Sequence, residues 1–343
     1  MRLLITTQVV DRKHSNLGFF HSWIREFARH CEEVHVICLQ EGEHHLPSNV
    51  YVHSLGKEVG TSPVTRLARF YRYIWKLRNK YDGVFVHMNP EYVVFGGIFW
   101  NMWKKRIALW YVHRSVTLWL HIASFLSDVI FTVTPESIRL RSSKIHAVGH
   151  GIDTELFTPT AHTISPVLRI LSVGRIARSK GLVEILTTLD LLDAKGVPFT
   201  FTIVGAPLTP EESTYEDMLK AETAKRPYAA HVHFKGALQS TELPTVFRDA
   251  DVFVNISTTG GFDKVVLEAL ASGVPAVSSS VPFRALLEPY GLFISSVQPS
   301  AIADAIQTAI GVDVTTVRAE VEKSHSLRTL IPKILSVLES VKV

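Results

Sequence analysis

The chain has 343 residues, of which 46% are hydrophobic and 20% charged, and its formal net charge is +4. This length favours two α/β domains over one small core, and the composition is that of a folded globular protein rather than a disordered chain. Cys31 and Cys38 are the only cysteines, so neither a disulfide framework nor a cysteine-based zinc site is expected. The low cysteine content suits a reducing cytoplasm, which is the expected compartment.

The amino-terminal half alternates short β-branched runs with helical patterns, which is typical of parallel strands joined by crossover helices. The predicted strands are residues 3–9, 35–39, 84–87, 107–112 and 129–133. The longest uncharged apolar stretches, 92–103 and 115–127, are shorter than the ~20 residues that span a bilayer. No transmembrane helix is therefore predicted.

The positive charge is concentrated in this half, which has 19 Lys and Arg against 13 Asp and Glu through Glu155. Basic residues lie among aromatic ones in segments 70–76 and 100–106. One interpretation is that these are the exposed faces of helices whose other faces belong to the core. The other is a peripheral membrane surface or an anionic acceptor site.

A stretch rich in Pro, Thr and Ser, residues 157–166, has neither a helical nor a strand period and predicts a linker. The alternation then restarts. It predicts strands at 169–173, 199–204, 231–234, 252–256, 275–278 and 292–294, and helices at 301–310, 314–322 and 327–341. We therefore predict one domain at residues 1–157, a second at 167–325, and a carboxy-terminal helix at 326–343.

The turn after strand 169–173 carries two cations, Arg175 and Lys180, beside Gly174. A strand-to-helix turn presents backbone amides above the sheet, and two cations could neutralise a bound diphosphate. Glycine and lysine at a strand end also serve packing and solubility. The turn alone leaves both interpretations open.

A second candidate follows strand 252–256, where a glycine-rich turn leads into a helix that carries Asp263 and Glu268. Glycine lets the backbone approach a ligand closely, and a carboxylate there can accept hydrogen bonds from sugar or ribose hydroxyls. The alternative for Glu268 is an ion pair with a neighbouring side chain. The pair Asp249 and Asp251 lies at a helix end that feeds a buried strand, and we do not interpret it as a metal site.

Five segments carry a resemblance to a known family. They are Gly-Ile-Asp with a following Phe at 151–157, Val-Gly-Arg with a Lys five residues after the Arg at 173–180, Phe-Thr-Ile-Val-Gly at 201–205, the unit 233–253, and Val-Leu-Glu-Ala-Leu-Ala-Ser-Gly-Val-Pro at 266–275. In this order they resemble the GT-B fold glycosyltransferases of group 1, in particular the large retaining group called family 4. The specific similarity covers about residues 145–300.

The resemblance implies an α/β fold of two Rossmann-like domains facing each other across a cleft, with the last helix crossing back to the first domain. It implies transfer of a sugar from a UDP- or GDP-sugar to an acceptor hydroxyl, with retention and without a metal or other cofactor. The expected acceptor is a glycan or lipid-linked molecule of glycan or glycolipid biosynthesis, bound by the amino-terminal domain. No nucleic-acid partner is expected. The expected location is cytoplasmic, with peripheral contact at the inner membrane face through the basic domain as a further hypothesis.

Carried over residue by residue, the resemblance assigns Arg175 and Lys180 to the donor diphosphate, whose developing negative charge they would stabilise. Glu268 would bind the ribose hydroxyls. Gly18 would lie near the phosphates, and His113 near the donor sugar. The other residues assigned to the nucleotide are Gly174, Gly205, Gly261, Phe262, Lys264 and Val265.

One position departs from the family's pattern. The family usually has two glutamates separated by seven residues, and Gly260 stands where the first is expected. Because that glutamate normally contacts the hydroxyls of the donor sugar, we predict that Asp263 takes over this contact; the alternative is that Asp263 caps the helix. With His113, Arg175 and Lys180, Asp263 completes the predicted catalytic set.

Two other functions remain open at this point. One is a nucleotide-sugar epimerase on the same fold, and the other is a nucleotide-binding module without turnover, which Gly260 motivates. A dinucleotide oxidoreductase is disfavoured because neither first-strand turn carries Gly-X-Gly-X-X-Gly.

Overall fold

The computed structural model describes residues 1–159, 165–257 and 261–341, which form two compact α/β units. The first unit consists of Met1–Asp153, Gln239–Thr241 and Ser324–Val343, and the second of Thr154–Leu238 and Glu242–Lys323. The predicted α/β class with two parallel-sheet domains is confirmed. Part of the predicted linker, residues 160–164, lies outside the described residues.

The first unit contains a seven-stranded parallel sheet with the strand order β3-β2-β1-β4-β5-β6-β7. Its strands are β1 (Arg2–Val10), β2 (Glu33–Glu41), β3 (Val50–Ser54), β4 (Gly83–His87), β5 (Arg106–Trp110), β6 (Val129–Thr132) and β7 (Ile145–Ala147). In β1 the consecutive side chains Leu3, Leu4 and Ile5 are all fully buried. Such unbroken apolar runs are characteristic of parallel strands that are covered on both faces.

Helices cover both faces of this sheet. They are α1 (Phe20–His30), α2 (Pro63–Leu77), α3 (Pro90–Met102), α4 (Leu118–Leu126) and, at the end of the chain, α12 (Leu327–Ser340). On one face Phe27 of α1 contacts Phe85 of β4, with ring centroids 5.0 Å apart, and α12 packs against α1. Because successive side chains of a strand alternate, Val84 and Val86 point to the other face, where they share a core with α2, α3 and α4.

The helices of that second face begin at well-defined residues. The Ser62 hydroxyl accepts a hydrogen bond from the Thr65 amide (3.1 Å) at the start of α2, and Thr117 does the same for Leu120 (3.2 Å) in α4. Such caps satisfy backbone amides that have no partner in the first helical turn. Within the described ranges, none of the helices is at once long enough and apolar enough to cross a membrane.

The second unit contains a five-stranded parallel sheet with the order β10-β9-β8-β11-β12. Its strands are β8 (Leu168–Val173), β9 (Phe199–Val204), β10 (Val232–Phe234), β11 (Val252–Asn255) and β12 (Ala276–Ser278). The helices of this part of the chain are α5 (Leu182–Ala194), α6 (Pro210–Ala224), α7 (Leu243–Arg248), α8 (Lys264–Ala271), α9 (Arg284–Leu287), α10 (Pro299–Ala309) and α11 (Thr315–His325).

Three strand assignments differ from the sequence-based ones. β3 and β7 were not predicted, since β3 is an edge strand with Tyr51 about half exposed (47%) and β7 has only three residues, so neither carries an apolar run. The predicted strand 292–294 was wrong. There Phe293 forms only an isolated bridge to Ser278, because β12 is itself three residues long and Gly291 (φ +69°) turns the chain just before.

Three histidines of the first unit make its stability depend on pH. Burial lowers the pKa of His87 to about 3, and burial together with neighbouring basic groups lowers the pKa of His21 and His53 to about 4. The unfolded chain therefore binds more protons than the folded one below pH 6.5. Stability contributed by the neutral histidines is complete above that pH and is lost as the pH falls.

We expect the free energy of unfolding of the first unit to fall between pH 6.5 and 4.5, with His87 alone contributing about 1.4 kcal/mol per pH unit. Urea unfolding followed by tryptophan fluorescence measures this, because all six tryptophans lie in the first unit. His87→Gln should make the dependence shallower by about one proton. Between pH 7 and 8 the three histidines are neutral in both states, so the unfolding free energies of variant and wild type should depend on pH in the same way. If the pH dependence of the variant at pH 5 equalled that of the wild type, the lowered pKa of His87 would be contradicted.

Candidate functional site

The second sheet has a switch point between β8 and β11, its neighbouring central strands. From β8 the chain continues to β9 and β10 on one side, whereas β11 and β12 lie on the other side. Loops that leave two such strands diverge to opposite directions and open a crevice at their carboxyl ends, where α/β sheets bind ligands. Both candidate segments of the second half, the turn after β8 and the turn after β11, leave the sheet at this point.

A recess lies at the carboxyl ends of β8 and β9. It is lined by Ser172, Val173, Gly174, Arg175, Lys180, Leu182, Ile203, Val204 and Asn255. Three of the predicted site residues, Gly174, Arg175 and Lys180, are among them. The structure thus brings the glycine and both cations of the predicted phosphate turn to one place.

The turns after β8 and β9 are packed backbone against backbone. A Cβ atom on Gly205 (φ +142°) would overlap the carbonyl oxygen of Gly174, so this close approach requires glycine. The Gly174 amide donates to Val204 O (2.9 Å) and the Ile176 amide to Ala206 O (3.2 Å). Because these two amides are already used, they are not available to an anion, whereas the cationic side chains of the turn can still donate to one.

Lys180 and Asp263, which are 83 residues apart, form an ion pair of 2.6 Å between Nζ and Oδ1. The other carboxylate oxygen of Asp263 accepts a hydrogen bond from the Asn255 amide (3.1 Å), whose own oxygen accepts one from the Ser278 hydroxyl (3.1 Å). Asn255 and Ser278 are buried, whereas Lys180 and Asp263 are about one fifth exposed (20% and 19%). A buried amide thus fixes the carboxylate that neutralises the lysine.

The helix-cap alternative for Asp263 differs from the observed geometry. Asp263 does occupy the residue before α8, but its side chain accepts no hydrogen bond from a backbone amide of that helix. Its oxygens instead face Lys180 and Asn255. Two predicted catalytic residues, Lys180 and Asp263, therefore lie together.

Glu268 on α8 is almost completely buried (2% exposed). Its Oε1 pairs with Lys264 one turn earlier, which is the neighbour pairing considered above. Its Oε2 is also buried and has no hydrogen-bond partner among the described residues. A buried carboxylate oxygen without a donor is costly, so a bound hydroxyl group would satisfy an acceptor to which no described residue donates.

Arg175 remains accessible at the edge of the recess, with its side chain 47% exposed. Its Nε lies 3.4 Å from a carboxylate oxygen of Glu212 in the first turn of α6. The next arginine, Arg178, points elsewhere and lies over the Tyr215 ring, 5.0 Å from its centroid. Of these two arginines, only Arg175 lines the recess.

The start of α8 is held by the loop that follows β12. The Gly261 carbonyl oxygen accepts a hydrogen bond from the Ser280 hydroxyl (2.6 Å), and the Phe262 ring packs on Phe283 with centroids 4.6 Å apart. Lys264 and Val265, also predicted to bind the nucleotide, form the first residues of the helix and are partly exposed. Gly260, with the two threonines before it, lies outside the described residues.

Gly18 and His113 lie in the first unit. A Cβ atom on Gly18 would be 2.6 Å from His14 O, which already accepts the Gly18 amide (2.9 Å), so the turn alone explains this glycine. His113 is exposed after β5, and its Nδ1 accepts a hydrogen bond from the Ser115 amide (2.9 Å). Their expected roles beside the donor stay predictions.

The sequence analysis did not assign a role to Asn255, which lines the recess and positions Asp263. The signal for it was present. Asn255 is the last residue of a strand whose other members, Val252, Phe253 and Val254, are fully buried. A polar residue at the carboxyl end of a buried parallel strand marks the ligand-binding edge of the sheet.

Of the Asp249 and Asp251 pair, Asp251 makes a structural contact with Arg169. Asp251 accepts hydrogen bonds from the backbone amide, Nε and Nη2 of Arg169, at 2.7 to 3.0 Å. In the parts of the chain that the structure describes, no group of three or more His, Cys, Asp or Glu could hold a metal ion. The expected metal independence stays a prediction.

The second half of the chain is similar to known proteins. Residues 163–314 match the family model of glycosyl transferases group 1. Mannosylfructose-phosphate synthase of Agrobacterium fabrum is 27% identical over 169 residues, 44% of this chain and 37% of that protein. The lipopolysaccharide core biosynthesis mannosyltransferase LpsB of Rhizobium meliloti is 31% identical over 171 residues, 46% of this chain and 48% of that one. The chain thus matches less than half the length of these curated relatives.

Solved structures show the same fold over the whole chain. The crystal structure of Anabaena HepE in complex with UDP and glucose superimposes with a TM-score of 0.77, covering 99% of this chain and 100% of that one at 16% identity. At this identity the likeness establishes the fold, which is the GT-B fold of glycosyltransferases.

Replacing Asn255 tests the polar network at the switch point. In Asn255→Ala, one oxygen of Asp263 loses its donor and the Ser278 hydroxyl loses its acceptor, so we expect a loss of about 1–3 kcal/mol in unfolding free energy. Scanning calorimetry measures it. Thr214→Ala on the exposed side of α6 removes a side-chain hydrogen bond to Pro210 O and serves as the control, with a change within about 0.5 kcal/mol. Equal effects of the two substitutions would contradict the role of Asn255.

Proposed function

We propose that this chain, whose residues 163–314 match the family model of glycosyl transferases group 1, is a glycosyltransferase that transfers a sugar from a nucleotide diphosphate sugar to an acceptor hydroxyl. The observation that supports it most is the buried Oε2 of Glu268, which has no hydrogen-bond partner in the described parts of the chain and lies close in sequence to Asp263 of the Asp263–Lys180 pair. Glu268 can accept hydrogen bonds from hydroxyl groups, which suits the ribose of such a donor. The two cations Arg175 and Lys180 suit its diphosphate.

Arg175 and Lys180 are proposed to hold the diphosphate. As the bond from the sugar to the diphosphate breaks, negative charge accumulates on the leaving oxygen, and fixed cations stabilise this charge without reorganising. Arg175 is accessible at the edge of the recess, and Lys180 is held by Asp263 until a stronger anion competes for it. Charge neutralisation by these side chains is the basis for proposing a metal-independent reaction.

Asp263 is proposed to change partners when the donor binds. Once Lys180 turns to the diphosphate, Oδ1 of Asp263 becomes an acceptor for a sugar hydroxyl, while Oδ2 stays bonded to Asn255. The same carboxylate would therefore pair with the lysine before the donor binds and orient the donor sugar afterwards. This would replace the contact of the family glutamate that Gly260 lacks.

The finer features of the proposal rest on the family resemblance. They are a UDP- or GDP-sugar as donor, retention of anomeric configuration as in family 4, and a glycan or lipid-linked acceptor in glycan or glycolipid biosynthesis. UDP bound to HepE and the mannosyltransferase name of LpsB support testing UDP and GDP first. A cytoplasmic location with peripheral contact at the membrane belongs to the same proposal.

Calorimetric titration with UDP, GDP, ADP and dTDP tests the donor site. We expect one nucleotide to bind selectively and Arg175→Ala to weaken it about 10- to 100-fold, because a charge-assisted hydrogen bond to phosphate is lost. Glu268→Gln should weaken it about tenfold through the ribose. Arg178→Ala, whose side chain stacks on Tyr215, and Glu216→Gln, from the Glu216–Lys220 pair of α6, are matched controls that should bind as wild type.

Absence of binding to all four nucleotides would overturn the proposed function. Selective binding without turnover of any donor would favour the nucleotide-binding module instead. Release of nucleotide diphosphate that requires an acceptor separates transfer from epimerisation.

Asp263→Ala tests the sugar contact separately from nucleotide binding. We expect donor turnover to fall by about tenfold or more, since the sugar loses an oriented hydrogen-bond acceptor, while the affinity for the nucleotide is kept or increased because Lys180 loses a competing carboxylate. Turnover is measured as release of nucleotide diphosphate with saturating donor in the presence of acceptor substrate. Asp249→Ala, at the exposed end of α7, is the control and should retain wild-type turnover. Unchanged turnover in Asp263→Ala would sink the hypothesis.

A further inference from the structure

The outer surface of α3 and α4 lacks the polar face that helices on a sheet usually have. α3 contains a single charged residue, Glu91, and α4 contains none. On their outward sides Ile98 and Met102 of α3 are 65% and 64% exposed, and Phe125 of α4 is 82% exposed. A helix that is apolar all round normally has a second apolar neighbour, so this surface is incomplete in water.

The adjoining helix α2 extends this surface with aromatic and basic side chains. Tyr71 contacts Phe99 and Trp75 contacts Trp103, with ring centroids 5.8 and 5.7 Å apart, so α2 and α3 run parallel with their ends aligned. Between them lies a groove of about 850 Å³, lined by these four rings and by Ile74, Arg72, Lys76 and Arg78. Trp75 remains 55% exposed.

α3 and α4 are packed closely enough to act as one surface. A Cβ atom on Gly97 would lie 3.1 Å from the Leu126 side chain, and the Asn101 amide donates to Leu126 O (3.1 Å). Since Asn101 and Leu126 lie near the carboxyl ends of their helices, these two ends meet at the same edge as the end of α2. The exposed side chains Trp75, Met102 and Phe125 lie at this edge.

The charge around the surface is strongly positive. Residues 63–126 contain ten Lys and Arg but only two Asp and Glu, and one of those two, Asp82, is paired with Arg2. Arg72, Lys76 and Lys104 are exposed beside the apolar side chains. Apolar side chains surrounded by cations complement a bilayer that has anionic headgroups above an acyl region.

We propose that Trp75, Ile98, Met102 and Phe125, with the surrounding cations, form a lipid-binding face that docks the first unit on an anionic bilayer. The helices are too short to span a bilayer, so they lie in the interface, with apolar side chains inserted and cations at the phosphates. A second copy of the chain is a poor occupant because two such positive faces repel each other. The inference rests on the proposed function in one respect, since docking would bring the enzyme to a lipid-linked acceptor.

Flotation with lipid vesicles tests the lipid-binding face without donor or acceptor. We expect wild-type protein to bind vesicles of phosphatidylcholine with about one third phosphatidylglycerol, to bind pure phosphatidylcholine at least about tenfold more weakly, and to be released by high salt. Tryptophan fluorescence should shift to shorter wavelength on binding, as Trp75 enters the interface.

Two double variants separate the apolar and the electrostatic contribution. Met102→Ser with Phe125→Ser, and Lys76→Glu with Lys104→Glu, should each reduce binding to anionic vesicles by about tenfold or more. The matched control is Leu208→Ser with Lys195→Glu, exposed residues of the second unit, which should bind vesicles as wild type. Unchanged tryptophan emission without vesicles shows that the first unit of each variant is folded.

Three outcomes would overturn the lipid-binding face: no binding of wild type to anionic vesicles, equal binding to neutral ones, or loss of binding in the control alone. A wild-type dimer that becomes monomeric in the Met102→Ser, Phe125→Ser variant, without vesicle binding, would assign the face to a second copy. Nucleotide titration of the same variants should match wild type. If the proposed function is wrong, the nucleotide titration will show no binding. If only the membrane docking is wrong, the titration will be normal and the flotation alone will fail.

Discussion

The strands of the central β-sheets are covered on both faces, and this burial determines where polar side chains can be placed. The first three residues of β11 are apolar and fully buried: Val252, Phe253 and Val254. The first polar residue of the strand is Asn255, at its carboxyl end. Chemistry is thereby confined to strand ends and to the turns that follow them. The reversal of strand order between β8 and β11 then selects which ends diverge enough to admit a ligand.

Two charge pairs of the candidate site differ in how completely their members are partnered. The Lys180–Asp263 pair is closed, since the lysine has its carboxylate and the carboxylate has the Asn255 amide. In the Lys264–Glu268 pair, one carboxylate oxygen has no donor among the described residues. The proposed ligand would have to displace a partner at the first pair but only add a hydrogen bond at the second. Binding at Glu268 would therefore be the less costly step.

Periodicity and residue type predict the central strands, because parallel strands covered on both faces have to be apolar. Edge elements such as β3 and β7 escape prediction since solvent relieves this demand. Motif resemblance predicts Arg175, Lys180, Asp263 and Glu268 one by one. It does not predict that Lys180 and Asp263 pair, since that contact depends on how loops 83 residues apart leave adjacent strands. Likewise, the aromatic and basic segments at 70–76 and 100–106 were recognised, but which of their side chains are exposed depends on packing.

The carboxylate beside Lys180 also reduces the attraction of the site for small anions. Inorganic phosphate or sulfate meets a lysine whose charge is already balanced by a carboxylate that a buried amide holds in place. Such an anion gains little by approaching, because attraction to the cation is offset by repulsion from Asp263. The proposed nucleotide diphosphate would be anchored elsewhere by its ribose and would carry enough charge to draw the lysine away. Such a site would exclude small anions that are abundant in the cell and still admit the larger proposed substrate.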